Sequence, residues 1–163
     1  MVKNLYLSAM RSIIFGMMVT SLLGCTIQHH PDHTIPKHMK KVIKSDNAPA
    51  PIGPYSQAIQ FGDMLFVSGQ IAIDPSIGEL DTSSIQIETE LVMKNIGAVL
   101  KAAELDYSNV LKCSIFLSDM SLFGEVNEVY GRYFIENPPA RETVAVKTLP
   151  KSVNVEISCI AAK

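Results

Sequence analysis

The 163 residues of the chain suffice for one domain with a tail and are too few for two ordinary domains. Hydrophobic residues make up 47% of the sequence and charged residues 18%, a composition that can build a core and argues against wholesale disorder. The formal net charge is −2, so the sequence lacks the excess of basic residues that binding to nucleic-acid phosphates requires. We therefore expect a folded domain that does not act on nucleic acid.

The N-terminal segment, residues 1–24, has the organisation of an export signal. Lys3 and Arg11 supply positive charge, and an apolar run over residues 13–23 is too short to span a bilayer as a stable helix. The run leads into Leu-Leu-Gly-Cys, which resembles a lipobox, the motif whose cysteine is lipidated and becomes the new N-terminus. The pattern predicts a bacterial lipoprotein anchored through Cys25 and facing the periplasm or the exterior. A short membrane anchor or an ordinary cleaved signal is the alternative.

Residues 25–38 predict the lipidated cysteine and a flexible tether. All four histidines of the chain lie here, but two prolines and the lack of flanking structure argue against a preorganised metal site. The folded domain is then expected over residues 39–163. A second interpretation starts translation at Met39, in which case the protein is cytoplasmic and has no signal. The order of charge, apolar run and lipobox favours export.

The first part of the domain predicts short strands joined by turns. Residues 42–45 are a strand candidate, and the proline-rich segment 47–55 forbids a helix and predicts a stiff, extended loop. Residues 58–61 and 64–68 predict two strands around a Gly62-Asp63 hairpin turn.

The remainder predicts two helices that alternate with strands. Apolar residues recur at helical spacing over residues 82–105, and the charged residues of this helix, Glu88 among them, are expected on solvated faces. A second helix is predicted from about residue 120 to residue 134, ended by Asn137-Pro138-Pro139. Alternating patterns predict three further strands, over residues 110–117, 141–148 and 153–161.

This order of elements predicts an α+β fold with a mixed sheet and both helices on one of its faces. Because one layer of two helices cannot also cover the other face, we expect the chain to oligomerise. Cys113 and Cys159 lie in strand patterns, where a reduced, buried thiol packs as a small hydrophobe.

The last two strands carry the residues best suited to chemistry. If they form a hairpin, Arg141 falls opposite Glu156, with Thr143 on the same face. An arginine fork can bind a substrate carboxylate through two parallel hydrogen bonds, and a nearby glutamate can deprotonate water. The alternative is an ordinary cross-strand ion pair on an exposed sheet face. The sequence offers no nucleophile elbow, phosphate-binding loop or metal cage.

From Lys40 onward the sequence resembles the RidA (YjgF) family of reactive intermediate deaminases. The matching motifs follow one another in the family's order and cover nearly the whole domain. They are Ala-Pro-Ala-Pro-Ile-Gly-Pro-Tyr-Ser-Gln-Ala at residues 48–58, Val-Ser-Gly-Gln-Ile at 67–71, Val-Asn-Glu-Val-Tyr at 126–130, Pro-Ala-Arg at 139–141, and Leu-Pro and Val-Glu-Ile near the end.

The resemblance implies a chorismate-mutase-like homotrimer, without a cofactor, whose sites lie in the clefts between neighbouring subunits. It implies hydrolysis of 2-aminoacrylate, 2-iminopropanoate and 2-iminobutanoate to 2-oxo acids and ammonia. Two alternatives remain: a non-catalytic trimeric binder of small carboxylates, and a translation-inhibiting ribonuclease, against which the net charge and the export signal count.

By the same resemblance, Arg141 binds the substrate carboxylate and Glu156 activates the hydrolytic water. Tyr55, Gly69 and Asn127 match positions that line the cleft. Thr143 stands where the family often has cysteine. A hydroxyl can still donate a hydrogen bond to the substrate, so activity is expected to survive while thiol-dependent regulation at this position is lost.

Overall fold

The computed structural model describes residues 40–163. The predicted export signal, the tether and Cys25 lie outside the described residues, so the lipoprotein interpretation stays a prediction. Within the described part of the chain, no helix has the length and apolar character needed to cross a membrane.

One mixed sheet of six strands forms the framework, in the spatial order β1-β2-β3-β6-β4-β5. Its strands are β1 (Lys41–Ile43), β2 (Ala58–Phe61), β3 (Met64–Gln70), β4 (Val110–Leu117), β5 (Ala140–Ala145) and β6 (Val155–Ala162). Neighbouring strands pair antiparallel except for β4 and β5, which are parallel. The predicted α+β class is confirmed.

Two helices pack on one face of this sheet: α1 (Ile85–Ala102) and α2 (Phe123–Gly131). The α1 helix begins where the Ser84 hydroxyl accepts a hydrogen bond from the amide of Ile87, three residues after the predicted start. A short 3-10 turn, capped by Asp119, precedes α2. The apolar residues of α1 pack against the strands, as their spacing predicted. In α2 Val126 and Tyr130 pack in the same core, but Phe123 at its start is exposed.

Glu88 departs from the prediction, because its side chain is fully buried instead of solvated. Its carboxylate accepts hydrogen bonds from the backbone amide of Asn154 at 2.6 Å, from the Asn154 side-chain amide at 2.9 Å and from the amide of Val155 at 3.3 Å. These donors lie where β6 begins. Glu88 therefore fixes the entry into the strand that carries Glu156.

The predicted hairpin between the last two strands is wrong, because β4 lies between β5 and β6. The α2 helix carries the chain from β4 back to a parallel β5, whereas β6 pairs antiparallel with both β3 and β4. Arg141 therefore pairs with Cys113 on the helix-covered face, and Glu156 pairs with Phe116 on the opposite face. Strand spacing and rise put their Cα atoms roughly 14 Å apart. The alternative of a cross-strand ion pair fails for the same reason.

The second face of the sheet is open in the single chain, as predicted. It carries two apolar cross-strand pairs, Phe66 with Ile160 and Phe116 with Val144, and between them lies a polar row of Ser158, Ser114 and Glu142. Phe66 is 45% exposed and Val144 is 44% exposed. In the polar region Lys112 forms an ion pair with Glu142 at 3.0 Å, and Ser114 donates a hydrogen bond to the same carboxylate.

Candidate active site

The carboxylate of Glu156 lies in a small cavity of about 220 Å³ on the open face of the sheet. Strand β6 supplies Glu156, the end of β3 supplies two neighbours, and loops supply the rest. The lining residues, which we call the Glu156 half-site, are Ile52, Tyr55, Ser68, Gly69, Ile71, Pro150 and Glu156. Three of the predicted site residues, Tyr55, Gly69 and Glu156, are therefore brought together within one chain.

Gly69 is required by the position of the Glu156 carboxylate. The register between β3 and β6 shifts between Val67 and Gln70, so the ladder is interrupted beside Glu156. A Cβ atom at residue 69 would lie 1.8 Å from Oε1 of Glu156 and 2.7 Å from its Cδ. Only glycine leaves room for the carboxylate to lie against the strand, which explains the glycine of the Val-Ser-Gly-Gln-Ile motif.

Partial burial of Glu156 raises the pKa of its carboxyl group. No Lys or Arg forms an ion pair with it among residues 40–163. A carboxylate that is partly desolvated and has no cation to neutralise it is a stronger base than an exposed glutamate. The half-site therefore has the electrostatics of a general base.

The proline-rich loop that carries Tyr55 is held in place by a buried amide. Gln57 accepts a hydrogen bond from the amide of Ser45 at 2.7 Å and donates through Nε2 to the carbonyl of Pro49 at 2.8 Å. Further bonds from Nε2 reach the carbonyls of Ser45 and Ala48. This role of Gln57 was not predicted from the sequence. Prolines lack the N–H donors that would bond to the carbonyls of their own loop, and a buried side-chain amide can donate to those carbonyls instead. The Gln of the Tyr-Ser-Gln-Ala motif could therefore have indicated this role.

Arg141 lies in a second, separate cavity of about 460 Å³ at the β5 edge of the sheet. The α2 helix and the chain leading into β5 form its walls. The lining residues, which we call the Arg141 half-site, are Asn127, Tyr130, Gly131, Phe134, Pro138, Pro139 and Arg141. Two of the predicted site residues, Asn127 and Arg141, are therefore brought together here.

The guanidinium of Arg141 is oriented by the α2 helix. Its Nη1 donates a hydrogen bond to Oδ1 of Asn127 at 2.7 Å. Its Cζ lies 5.0 Å from the ring centroid of Tyr130 and 5.7 Å from that of Phe123. Asn127 and Tyr130 are three residues apart and so share a helix face, a spacing from which the role of Tyr130 could have been read. The other N–H donors of the guanidinium suit a carboxylate.

Thr143 lies two residues after Arg141 and shares its face of β5. Its hydroxyl is buried, yet within the described residues it has no hydrogen-bond partner. Buried polar atoms nearly always find a partner, so this unpartnered hydroxyl near Arg141 indicates an incomplete edge. Thr143 does not line either half-site in the single chain.

One chain thus holds the predicted site residues as two half-sites on opposite faces of the sheet. The distance between them comes from β4, which separates the strands that carry Arg141 and Glu156. Neither half-site holds both a carboxylate-binding cation and a base. Both can serve one substrate only if a second copy of the chain contributes one of them.

Comparison with known proteins identifies the family. The family model described as Endoribonuclease L-PSP matches residues 45–163. A RutC family protein of Pyrococcus horikoshii is 50% identical over 125 residues, which are 77% of this chain and 99% of that protein. A 2-iminobutanoate/2-iminopropanoate deaminase of Mus musculus is 45% identical over 125 residues, which are 77% of this chain and 93% of the mouse protein.

A solved structure agrees with these matches. The crystal structure of E. coli TdcF with bound serine has a TM-score of 0.73 and 37% sequence identity, and the match covers 76% of this chain and 98% of TdcF. The described fold, the order of its motifs and the sequence matches all agree, and the chain belongs to the RidA/YjgF family.

Proposed function

We propose that this protein hydrolyses reactive 2-imino and enamine acids, 2-aminoacrylate/2-iminopropanoate and 2-iminobutanoate, to 2-oxo acids and ammonia. The observation that carries the proposal is the Glu156 carboxylate, held against Gly69 in a small cavity with a raised pKa and no cation beside it. The name of the mouse relative, a 2-iminobutanoate/2-iminopropanoate deaminase, supports the same reaction.

In the proposed reaction Arg141 binds the carboxylate of the substrate through the N–H groups that face away from Asn127. Glu156 accepts a proton from water as the water oxygen bonds to the imine carbon, and it returns this proton to the imine nitrogen, giving a neutral carbinolamine. Glu156 then accepts the proton of the carbinolamine hydroxyl and delivers it to the amino group as the C–N bond breaks, so that ammonia leaves and the carbon becomes the ketone of the 2-oxo acid. An enamine substrate first tautomerises to the imine by gaining a proton at its terminal carbon and losing one from its nitrogen.

The proposed site forms between two copies of the chain, in a homotrimer. Three observations support this arrangement: the half-sites lie on opposite faces of one sheet, apolar side chains such as Phe66 and Val144 are exposed on its second face, and the buried Thr143 hydroxyl lacks a partner within the described residues. Light scattering should give the mass of a trimer, and a monomer at micromolar concentration would contradict the proposal.

The decisive experiment measures ammonia and pyruvate released from enzymatically generated 2-aminoacrylate. We expect release above the spontaneous rate with the wild type and release close to the spontaneous rate with Glu156→Gln. If the wild type binds pyruvate in calorimetry but does not accelerate release, the protein is a binder of small carboxylates. The serine bound in E. coli TdcF, a small amino acid, supports a ligand of this size.

We also propose that Cys25 is lipidated and anchors the protein to a bacterial membrane, with the domain facing the periplasm or the exterior. The supporting observation is the Leu-Leu-Gly-Cys motif behind a charged and apolar segment. Radiolabelled palmitate should enter the full-length protein but not a Cys25→Ala variant. Recovery only of soluble protein that begins at Met39 would establish the internal start instead.

A further inference from the structure

Cys113 and Cys159 face each other across the two central strands of the sheet. They are direct register partners in the antiparallel pair of β4 and β6. Both are free thiols, 1% and 3% exposed, and both belong to the main core on the helix-covered face. Neither takes part in the proposed reaction.

The hydrogen bonds at the ends of the strands determine which kind of antiparallel pair this is. The amide of Ser118 donates to the carbonyl of Asn154 at 2.9 Å, so these two residues form a hydrogen-bonded pair in the β4–β6 ladder. Hydrogen-bonded and non-hydrogen-bonded pairs alternate along such a ladder. The two cysteines lie five positions further along and are therefore a non-hydrogen-bonded pair.

The other neighbour of β6 leads to the same assignment. The amide of Lys163 donates to the carbonyl of Asp63 at 3.0 Å, which marks a hydrogen-bonded pair in the β3–β6 ladder. Cys159 pairs with Val67 four positions away, so its backbone groups bond to β3 and not to β4. Non-hydrogen-bonded partners have Cα atoms about 4.5 Å apart, inside the range of about 4.4–6.8 Å that a disulfide spans.

We propose that Cys113 and Cys159 form a cross-strand disulfide when the chain folds in the presence of a disulfide oxidant. The first thiolate attacks the oxidant, forms a mixed disulfide and releases one thiol. The second cysteine thiolate then attacks the cysteine sulfur of that mixed disulfide and releases the second thiol. Two cysteine thiols are oxidised, the oxidant disulfide is reduced to two thiols, and the two cysteine protons end on the released thiols.

The timing follows from burial. In the folded protein the core excludes the oxidant, and burial raises the pKa of both thiols, so little reactive thiolate is present. The bond therefore forms during folding and not afterwards. The predicted export of this chain would let it fold in an oxidising compartment, where such bonds persist.

The expected consequence is stability. The bond closes a loop of about 45 residues and joins β6, which carries Glu156, to β4, which supports β5 and Arg141. Such a crosslink should raise Tm by roughly 5–15 °C. This inference does not depend on the proposed reaction, since it is read from covalent linkage and melting temperature.

The test uses the full chain in non-ionic detergent, unfolded under reducing conditions and refolded with glutathione disulfide or with reduced glutathione. Free thiols are alkylated before trypsin digestion and mass spectrometry. We expect a linked pair of peptides 113–132 and 152–163 only after oxidative refolding, together with the higher Tm. The folded, reduced protein should keep both thiols when it meets the same oxidant.

Cys113→Ala and Cys159→Ala are the matched controls, and each should show the same Tm in both buffers. Two different alanine variants guard against a folding defect in one of them. Complete alkylation of both cysteines in oxidatively refolded protein with native circular dichroism would overturn the proposal. So would a linkage to Cys25 in place of the cross-strand bond, or a Tm that does not rise on crosslinking.

Discussion

The two half-sites differ in how the fold holds them. The Glu156 half-site is built from the end of β3, β6 and a loop fixed by Gln57, and its carboxylate is partly buried. The Arg141 half-site lies on an edge strand beside α2, and its guanidinium is exposed and oriented by a single hydrogen bond and two rings. The base is thus positioned by backbone geometry, whereas the cation is positioned by side chains.

This difference suits the roles proposed for the two residues. A general base works only from one place relative to the reacting atom, so a rigid support is valuable. A carboxylate-binding arginine acts in the ground state and in the transition state alike, and a long side chain can adapt to the ligand. The comparison therefore predicts that small backbone changes damage the Glu156 half-site more than the Arg141 half-site.

The largest expected effects come from Arg141 and Glu156, and mixing the two variants tests whether one site contains residues from two copies of the chain. Arg141→Ala should lower kcat/KM about 100-fold or more, because it removes a charge-assisted contact. Glu156→Gln should lower the rate roughly 10²–10⁴-fold, as expected for a missing base. Refolding the two inactive variants together should restore about a quarter of the wild-type rate, the fraction of intact interfaces in random trimers.

The control for this experiment is to refold each variant alone, and neither should recover. Arg141→Lys should not replace the arginine, since an ammonium group lacks the fork that binds a carboxylate bidentately. A mixture whose rate stays at the mean of the two parents would show that one chain supplies both groups. That result would remove the proposed interface site.

Gly69→Ala should have the next largest effect, on activity and not on stability. The new methyl group would meet the end of the Glu156 side chain, which can swing away without moving the backbone. A displaced base should cost roughly 10–100-fold in kcat, while Tm changes little. Kinetics and a melting curve on the same sample check both parts.

Gly124→Ala is the matched control, because no atom outside its own helix environment lies within 4 Å of an added Cβ there. It should leave both rate and Tm close to wild type. If Gly69→Ala instead unfolds the protein, the glycine serves the strand and not the carboxylate.

The sequence predicted the elements of the fold well, because apolar spacing reports which face of a helix or strand is buried. It did not predict that β4 lies between the last two strands. Two strands that follow each other closely in sequence suggest an antiparallel hairpin. The α2 helix crosses over between β4 and β5, so these two strands pair parallel instead. The roles of Arg141 and Glu156 stay predictions, but their expected proximity within one chain was wrong.

Buried polar residues were the other limit of sequence analysis. Glu88 follows the charge pattern of an exposed helix, and nothing local indicates that the first residues of β6 need an acceptor there. Tyr130 is buried in the core, yet its ring centroid also lies 5.0 Å from the guanidinium carbon of Arg141. Such double roles depend on contacts distant in sequence, which periodicity does not report.

Thr143→Val tests a weaker contact on the Arg141 side. The buried hydroxyl has no partner within the described part of one chain, so we expect it to donate to the substrate or to a neighbouring copy. Replacement by the isosteric valine should cost about 2–10-fold in kcat/KM, the value of one neutral hydrogen bond. Thr143→Ser should retain the wild-type rate, and an unchanged rate in Thr143→Val would exclude a substrate contact.

The smallest expected effect is a shift in the pH dependence of kcat/KM. It tests directly whether Arg141 of one copy lies near Glu156 of another. Glu156 must be deprotonated to act as a base, so kcat/KM should fall as pH drops through its pKa. Burial raises that pKa above the ordinary value of 4.5, which places the acid limb above pH 4.5. An arginine from a neighbouring copy would favour the carboxylate and move the limb back down. The residual activity of Arg141→Ala should therefore show an acid limb at higher pH than the wild type, while Glu156→Gln should show none.

The thermal stability of Arg141→Ala, with and without Glu156→Gln, provides an independent measurement of the same pKa shift. A raised pKa in the folded state makes deprotonation of Glu156 costly, so its destabilising effect is absent below pH 4.5 and appears as pH rises through the folded-state pKa. In the Arg141→Ala background, Glu156→Gln should therefore raise Tm at neutral pH and leave it unchanged at pH 4. An acid limb at the same pH with and without Arg141 would show that the guanidinium does not approach the base in the assembled protein.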